Sequence, residues 1–219
     1  MKLPHALLLA AAGAACLAAS GGPPEIPHGT LTLETLMHHM ATTSGVRAEF
    51  HEVKEIALLD QPLESDGTLY FIPPSRMARI TRAPGPTTLL IDGSRMSYRD
   101  MAGGNSVDLS ANRVARTIVE NFVVLFNGDL RALRERYNVG FDADGPRWDM
   151  KLVPKGPPVS QLIASIELNG DGPALKQMVL VEKEGDRTTT FFHDVVTDVQ
   201  FSPEELGRIF LENTPAKVP

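Results

Sequence analysis

Apolar residues recur along this chain with two different periods, and each change of period marks a change of element. From Thr30 to Thr43, Leu33, Leu36, Met37 and Met40 fall at i, i+3, i+4 and i+7, the spacing of one helix face, while Glu34, His38 and His39 fall elsewhere. This predicts an amphipathic helix that ends before Gly45. Strand-like runs follow over Val46–Leu59, Gly67–Ile72, Met77–Thr81, Thr87–Ile91 and Arg95–Tyr98. Turn formers separate them at hairpin spacing: Pro62, Asp66-Gly67, Pro73-Pro74, Pro84-Gly85-Pro86 and Asp92-Gly93. An antiparallel meander is expected.

The helical period then returns. Val114, Ile118, Val119, Phe122 and Phe126 oppose a polar stripe of Arg113, Arg116 and Glu120. Asn127-Gly128-Asp129 stops that helix and caps a short one whose face carries Leu130, Leu133 and Tyr137. Beyond it Trp148, Met150 and Leu152 alternate with Arg147, Asp149 and Lys151, giving one buried and one wet face. Leu162–Leu168, Gln177–Glu182, Thr188–Phe192 and Val195–Phe201 continue as strands, joined by turns at Asn169-Gly170-Asp171-Gly172 and Glu184-Gly185-Asp186. No internal repeat is visible. The expected class is α+β: an incomplete, open antiparallel β-barrel of about ten to eleven strands, with helices closing its concave hydrophobic face.

Composition narrows the function. The 219 residues are 42% hydrophobic and 22% charged, which supports one globular domain, placed at 30–219. Lys+Arg 21 against Asp+Glu 27 leaves a net charge of -6, without the positive field that a phosphate backbone requires, so no nucleic acid is expected as a partner. Cys16 is the only cysteine, which removes intramolecular disulfides and Cys-based zinc sites. It lies inside residues 1–20, which read as a signal peptide: Lys2, an apolar run from Leu7 to Leu17, then Ala18-Ala19-Ser20 for cleavage. Residues 21–29 form a Pro/Gly leader. The mature protein is therefore expected in the periplasm. A rival reading takes Gly13-Ala14-Ala15-Cys16 as a lipoprotein signal, with Cys16 acylated after cleavage.

Motifs with a mechanical reason for their spacing are missing: there is no Gly-rich phosphate loop, no Gly-x-Ser-x-Gly elbow and no His-Glu-x-x-His. His51-Glu52 comes nearest, but Glu55 stands where a second His belongs, and the pair reads as a solvated strand face. His38 and His39 diverge on a helix and read as surface residues, while Asp142, Asp144 and Asp149 read as an Asp-rich turn. An enzyme is not expected, nor a metal or cofactor. What remains is apolar surface, with the Leu33, Leu36, Met37 and Met40 face as a lid over a sheet interior.

Phe50 and its strand, then Gly67-Thr68-Leu69-Tyr70-Phe71, Pro74-x-x-Met77, Ile91-Asp92-Gly93 and Tyr98, resemble the core signature of the LolA family of periplasmic lipoprotein carriers. The similarity covers residues 30 to 201. Phe126-Asn127-Gly128-Asp129-Leu130, Trp148-x-Met150-x-Leu152-x-Pro154 and Glu184-Gly185-Asp186 look closer to the LolA-related branch found beside acyl-carrier, aryl-polyene and large exporter genes. The resemblance implies a monomeric carrier for the acyl chains of a lipoprotein or other lipidated molecule, loaded by an inner-membrane transporter and unloaded to an outer-membrane acceptor. It implies a lining role for Phe50, Leu69, Phe71, Met77, Leu89 and Ile91, with the lid face opposite and Trp148 and Met150 on a facing strand. Two positions depart from the family pattern. Pro73 stands where the family carries a lid-latching Arg and cannot donate a hydrogen bond, and Arg79 replaces an aromatic. Two alternatives stay open: an acceptor of the LolB type tethered through Cys16, and a protein-binding envelope sensor with no lipid cargo.

Overall fold

The computed structural model describes residues 31–211, so the signal segment 1–20, the leader 21–29 and Cys16 lie outside the described residues. Helix α1 (Leu33–Thr42) leads into β1 (Val46–Glu55), β2 (Leu63–Ile72), β3 (Arg76–Ala83), β4 (Thr87–Asp92), β5 (Arg95–Asp100) and β6 (Gly103–Asp108). Helices α2 (Arg113–Val123) and α3 (Leu130–Arg136) follow, then β7 (Tyr137–Asp144), β8 (Arg147–Pro154), the single turn α4 (Val159–Leu162), β9 (Ile163–Asp171), β10 (Ala174–Glu182) and β11 (Arg187–Thr197). The strands form one sheet in the order β6-β5-β4-β3-β2-β1-β11-β10-β9-β8-β7, every neighbour antiparallel.

That order explains the placement of the helices. The first and last strands, β1 and β11, pair at the centre, and β6 and β7 are left as the two edges of an unclosed barrel. The chain must cross the opening to pass from β6 to β7, and the crossing segment is α2 and α3. Their apolar side chains, including Ile118, Phe122 and Leu133, join one core cluster with the α1 face and the concave side of the sheet. Helices α1, α2 and α3 each start on a polar cap: Thr32 Oγ1 accepts from the Thr35 amide at 3.2 Å, Asn112 Oδ1 from Ala115 at 3.0 Å and Asp129 Oδ1 from Ala132 at 2.9 Å. Gly128 has φ +65, and a Cβ there would collide with the α1 backbone at Met37 and Ala41, so only glycine lets the α2–α3 turn lie this close.

A second, smaller cluster lies on the convex side. Ile209 and Phe210 cover Ala78 of β3 and Leu90 of β4. They follow the short helix α5 (Pro203–Leu206), which opens with a capping box between Ser202 and Glu205.

Several expectations need correction. Tyr137 is the first residue of β7 rather than part of a helix face. Asp142 and Asp144 lie in β7 and Asp149 in β8, with Asp142 paired across to Asp149, so they form no turn. The runs Thr188–Phe192 and Val195–Phe201 are not two strands: the single strand β11 spans the first and ends at Thr197. The first strand stops at Glu55, short of Leu59. Val114 is exposed, because it falls just outside the α2 stripe that packs inward. Glu52 is the most consequential correction. Residues of β1 alternate in burial along nearly its whole length, and Val46, Ala48, Phe50, Glu52 and Lys54 all face the concave side. Glu52 is 1% exposed, whereas its neighbour His51 points outward, 3.0 Å from Asp66.

Candidate functional site

The concave face is built in cross-strand layers. Strand register sets Phe71, Met77, Ile91 and Met96 side by side across β2–β5, and two residues along sets Leu69, Arg79, Leu89 and Tyr98. The twelve residues that sequence reasoning assigned to a lining are all buried and belong to one core cluster: Leu33, Leu36, Met37, Met40, Phe50, Leu69, Phe71, Met77, Leu89, Ile91, Trp148 and Met150. Phe71 meets Phe126 with ring centroids 5.7 Å apart, and Trp148 stacks on Phe141 while its Nε1 donates to the Gly172 carbonyl at 2.8 Å. The middle of the lumen is therefore packed rather than empty.

Open space lies at its two ends. The larger cavity, 730 Å³, sits under α2 and α3 beside the β2–β3 and β4–β5 turns. Ile91, Leu109, Val119, Val123 and Val124 supply its aliphatic walls, and Arg116, Glu120, Asp129 and Arg136 its polar margin. Arg136 reaches Glu120 at 3.4 Å and Arg116 approaches the same carboxylate at 3.9 Å. The smaller cavity, 360 Å³, sits at the opposite end beside the β3–β4 turn, with Leu89, Tyr98, Thr81, Arg79, Glu52 and Lys54 among its walls. Leu89 and Ile91 are successive inward residues of β4 and line one cavity each, so the partition between the cavities is one side-chain layer, about 7 Å along the strand. The other ten expected lining residues touch neither cavity.

The small cavity carries a buried charge system that the apolar pattern did not reveal. Arg79 Nη2 lies 2.9 Å from Glu52 Oε1, Thr190 Oγ1 donates to Glu52 Oε2 at 3.1 Å, and Lys54 Nζ donates to Glu182 at 3.1 Å. The Arg79 guanidinium lies 4.3 Å over the Phe50 ring. Gly67 makes room for that ring, since a Cβ there would strike it. Burial, and after it the Asp100 carboxylate, push the Tyr98 phenol above its ordinary value, so it stays a neutral donor. Strict alternation from Phe50 through Glu52 to Lys54 was the available signal, masked by the assumption that a charged strand residue faces water.

The cover is tied down from an unexpected side. Asn127, in the α2–α3 turn, donates from Nδ2 to the Pro74 carbonyl at 2.8 Å. The helical cap thus holds the β2–β3 turn through Asn127, at the turn where Pro73 has no donor to offer. Arg134 of α3 also pairs with Glu34 of α1 at 3.0 Å, and Tyr137 Oη donates to the Asn121 carbonyl at 3.0 Å. Among the described residues no cluster of His, Cys, Asp and Glu could hold a metal ion, and no helix is long and apolar enough to cross a membrane.

The family described as outer membrane lipoprotein carrier protein LolA-like matches residues 27–205. No curated protein matches the chain. Among solved structures, a DUF1329 family protein from Desulfovibrio piger is similar at 12% identity and a TM-score of 0.49, over 83% of this chain and 96% of that one. A LolA superfamily protein from Nitrosomonas europaea is similar at 9% identity and a TM-score of 0.44, over 80% and 97%. The MucA/MucB complex of Pseudomonas aeruginosa is similar at 12% identity and a TM-score of 0.43, over 78% and 57%.

Proposed function

We propose that this chain, which belongs to the outer membrane lipoprotein carrier protein LolA-like family, is a periplasmic carrier that shelters the acyl chains of a lipoprotein or another lipidated molecule between membranes. The observation that carries the reading is the 730 Å³ cavity with aliphatic walls between the helical cover and the sheet. Its size falls in the ordinary range of small-molecule sites, roughly 300–1,000 Å³. Sheltering a chain of ~16 carbons at about 0.8 kcal/mol per methylene is worth on the order of 10 kcal/mol relative to water, before ordering costs. Such a chain does not leak into the aqueous phase. Loading from a bilayer only exchanges one apolar medium for another and is nearly neutral, so direction comes from partners: an inner-membrane transporter on the loading side and an outer-membrane acceptor on the other. The protein works as a monomer that binds and does not catalyse.

The test is native mass spectrometry of the exported protein purified without detergent, followed by organic extraction. A stoichiometric acylated adduct is expected. Ala132 lines the cavity from α3 and is only partly buried, so Ala132→Phe projects a ring into the space an acyl chain would occupy while leaving the core intact. This variant is expected to lose the adduct at unchanged thermal stability. Bare wild-type protein from its native host would instead favour a protein-binding module.

A further inference from the structure

We propose that the smaller cavity is a second binding site, for the polar head of a neutral amphiphile that both donates and accepts hydrogen bonds. It extends the carrier reading to the opposite end of the lumen and requires only that the protein meets amphiphiles. Three buried side-chain atoms of this cavity's walls lack a hydrogen-bond partner. Glu52 is 1% exposed and Arg79 6% exposed, yet Glu52 Oε1, Arg79 Nε and Arg79 Nη2 make no hydrogen bond. Nη2 and Oε1 lie 2.9 Å apart, close enough for charge attraction but misaligned for a bond. Buried polar groups in native proteins are nearly always satisfied, and each exception asks for a cause.

Stability does not supply that cause. A buried ion pair is often no more stabilising than apolar residues of the same volume, and unmet donors and acceptors make it worse. A ligand in the cavity would supply what is missing. The unmet set holds donors and an acceptor together, and the lining balances two carboxylates, Glu52 and Glu64, against two cations, Lys54 and Arg79. An anionic head gains no net field there, nor does a cationic one. A neutral head bearing adjacent hydroxyls, as in an acylglycerol, can accept from Arg79 and donate to Glu52 at once. Leu89, Pro84 and Leu63 then meet the first carbons of its chain. Leu63 is 52% exposed, so the wall carries apolar surface open to water, suited to an amphiphile rather than a polar solute.

The probes are 1-monodecanoylglycerol and methyl decanoate, which share a chain and differ in the head. In the wild-type protein the glycerol ester is expected to move the Arg79 Nε nitrogen resonance, and methyl decanoate to leave it in place. Calorimetric titration of the paired variant Glu52→Leu/Arg79→Met, which removes both charges together, is expected to show roughly tenfold weaker binding of the glycerol ester. Its affinity for methyl decanoate should not change. If both probes move the Arg79 resonance equally, or neither moves it, the head site is overturned, and this wild-type measurement decides even if the paired variant fails to fold. A protein that binds no methyl decanoate but still shows the Arg79 response refutes the acyl-chain cavity and leaves the head site standing.

Discussion

The two ends of the lumen are walled by the same sheet face, one side-chain layer apart, and differ in almost everything else. At one end Ile91, Val119, Val123 and Val124 surround a large cavity whose charged residues stay at the margin. At the other, Glu52, Arg79 and Lys54 stand inside a smaller one. Strand alternation fixes which residues point inward; residue type along the same strand then decides what each end can hold. An aliphatic end under a helical cover suits a chain, and a charged end suits a head.

Breaking the charged end should have the largest effect. Glu52→Leu leaves Arg79 buried without its counter-charge and is expected to lose about 3–5 kcal/mol in urea denaturation. The Glu52→Leu/Arg79→Met pair should recover most of that loss. A pair as unstable as the single variant would show that the two charges are not coupled. At the aliphatic end, Gly128→Ala places a Cβ against the α1 backbone at positive φ, with an expected loss of about 1–3 kcal/mol. Helix α1 should also become more open to hydrogen exchange, while exchange of the β1–β11 ladder stays unchanged. Asn127→Ala removes the tie to Pro74 and is expected to lose about 1 kcal/mol. Its sharper signature is faster release of a bound acyl probe from the larger cavity, with release from the smaller one unaltered.

The smallest effect lies on the outside of β1, where Glu49 offers a control for Glu52. Burial works against the Glu49 charge, but hydrogen bonds from Arg82 and Thr68 outweigh it and hold the carboxyl below the usual Glu range. A group with a depressed folded pKa contributes stability that is present above its unfolded pKa, about 4.3, and is lost as pH falls through the folded value. Wild-type stability is therefore expected to decline as pH falls below about 4.3. Glu49→Gln should make that decline shallower, because its small loss of stability is present at neutral pH and disappears in acid. An unaltered acid slope would remove Glu49 from the account.

Much of the fold was legible because burial on one face leaves a period in the sequence. The α1 stripe of Leu33, Leu36, Met37 and Met40 and the alternation of Trp148, Met150 and Leu152 translate directly into the packed interior. Strand β6 was not legible: it is a Gly-rich edge whose only residue to pack against the core is Val107. Strand β7 did carry a signal, Val139, Phe141 and Ala143 alternating with polar residues, hidden by assigning Tyr137 to the preceding helix. The candidate site was legible only as a set of buried apolar residues. Which of them face open space depends on how side chains from separate strands and helices fill the same volume, and only Leu89 and Ile91 of the expected lining do so at the two cavities.

The sequence by itself determined most of the antiparallel strands, the helical stripes and the family signature. These are local properties, set by the side-chain period of two or 3.6 and by turn chemistry. Tertiary structure alone decided that β1 pairs with β11, that α2 and α3 span the gap, that Asn127 holds the β2–β3 turn and that Glu52 meets Arg79. Each of these joins residues far apart in the chain, and their meeting follows from how the curved sheet is closed and filled rather than from any spacing along it.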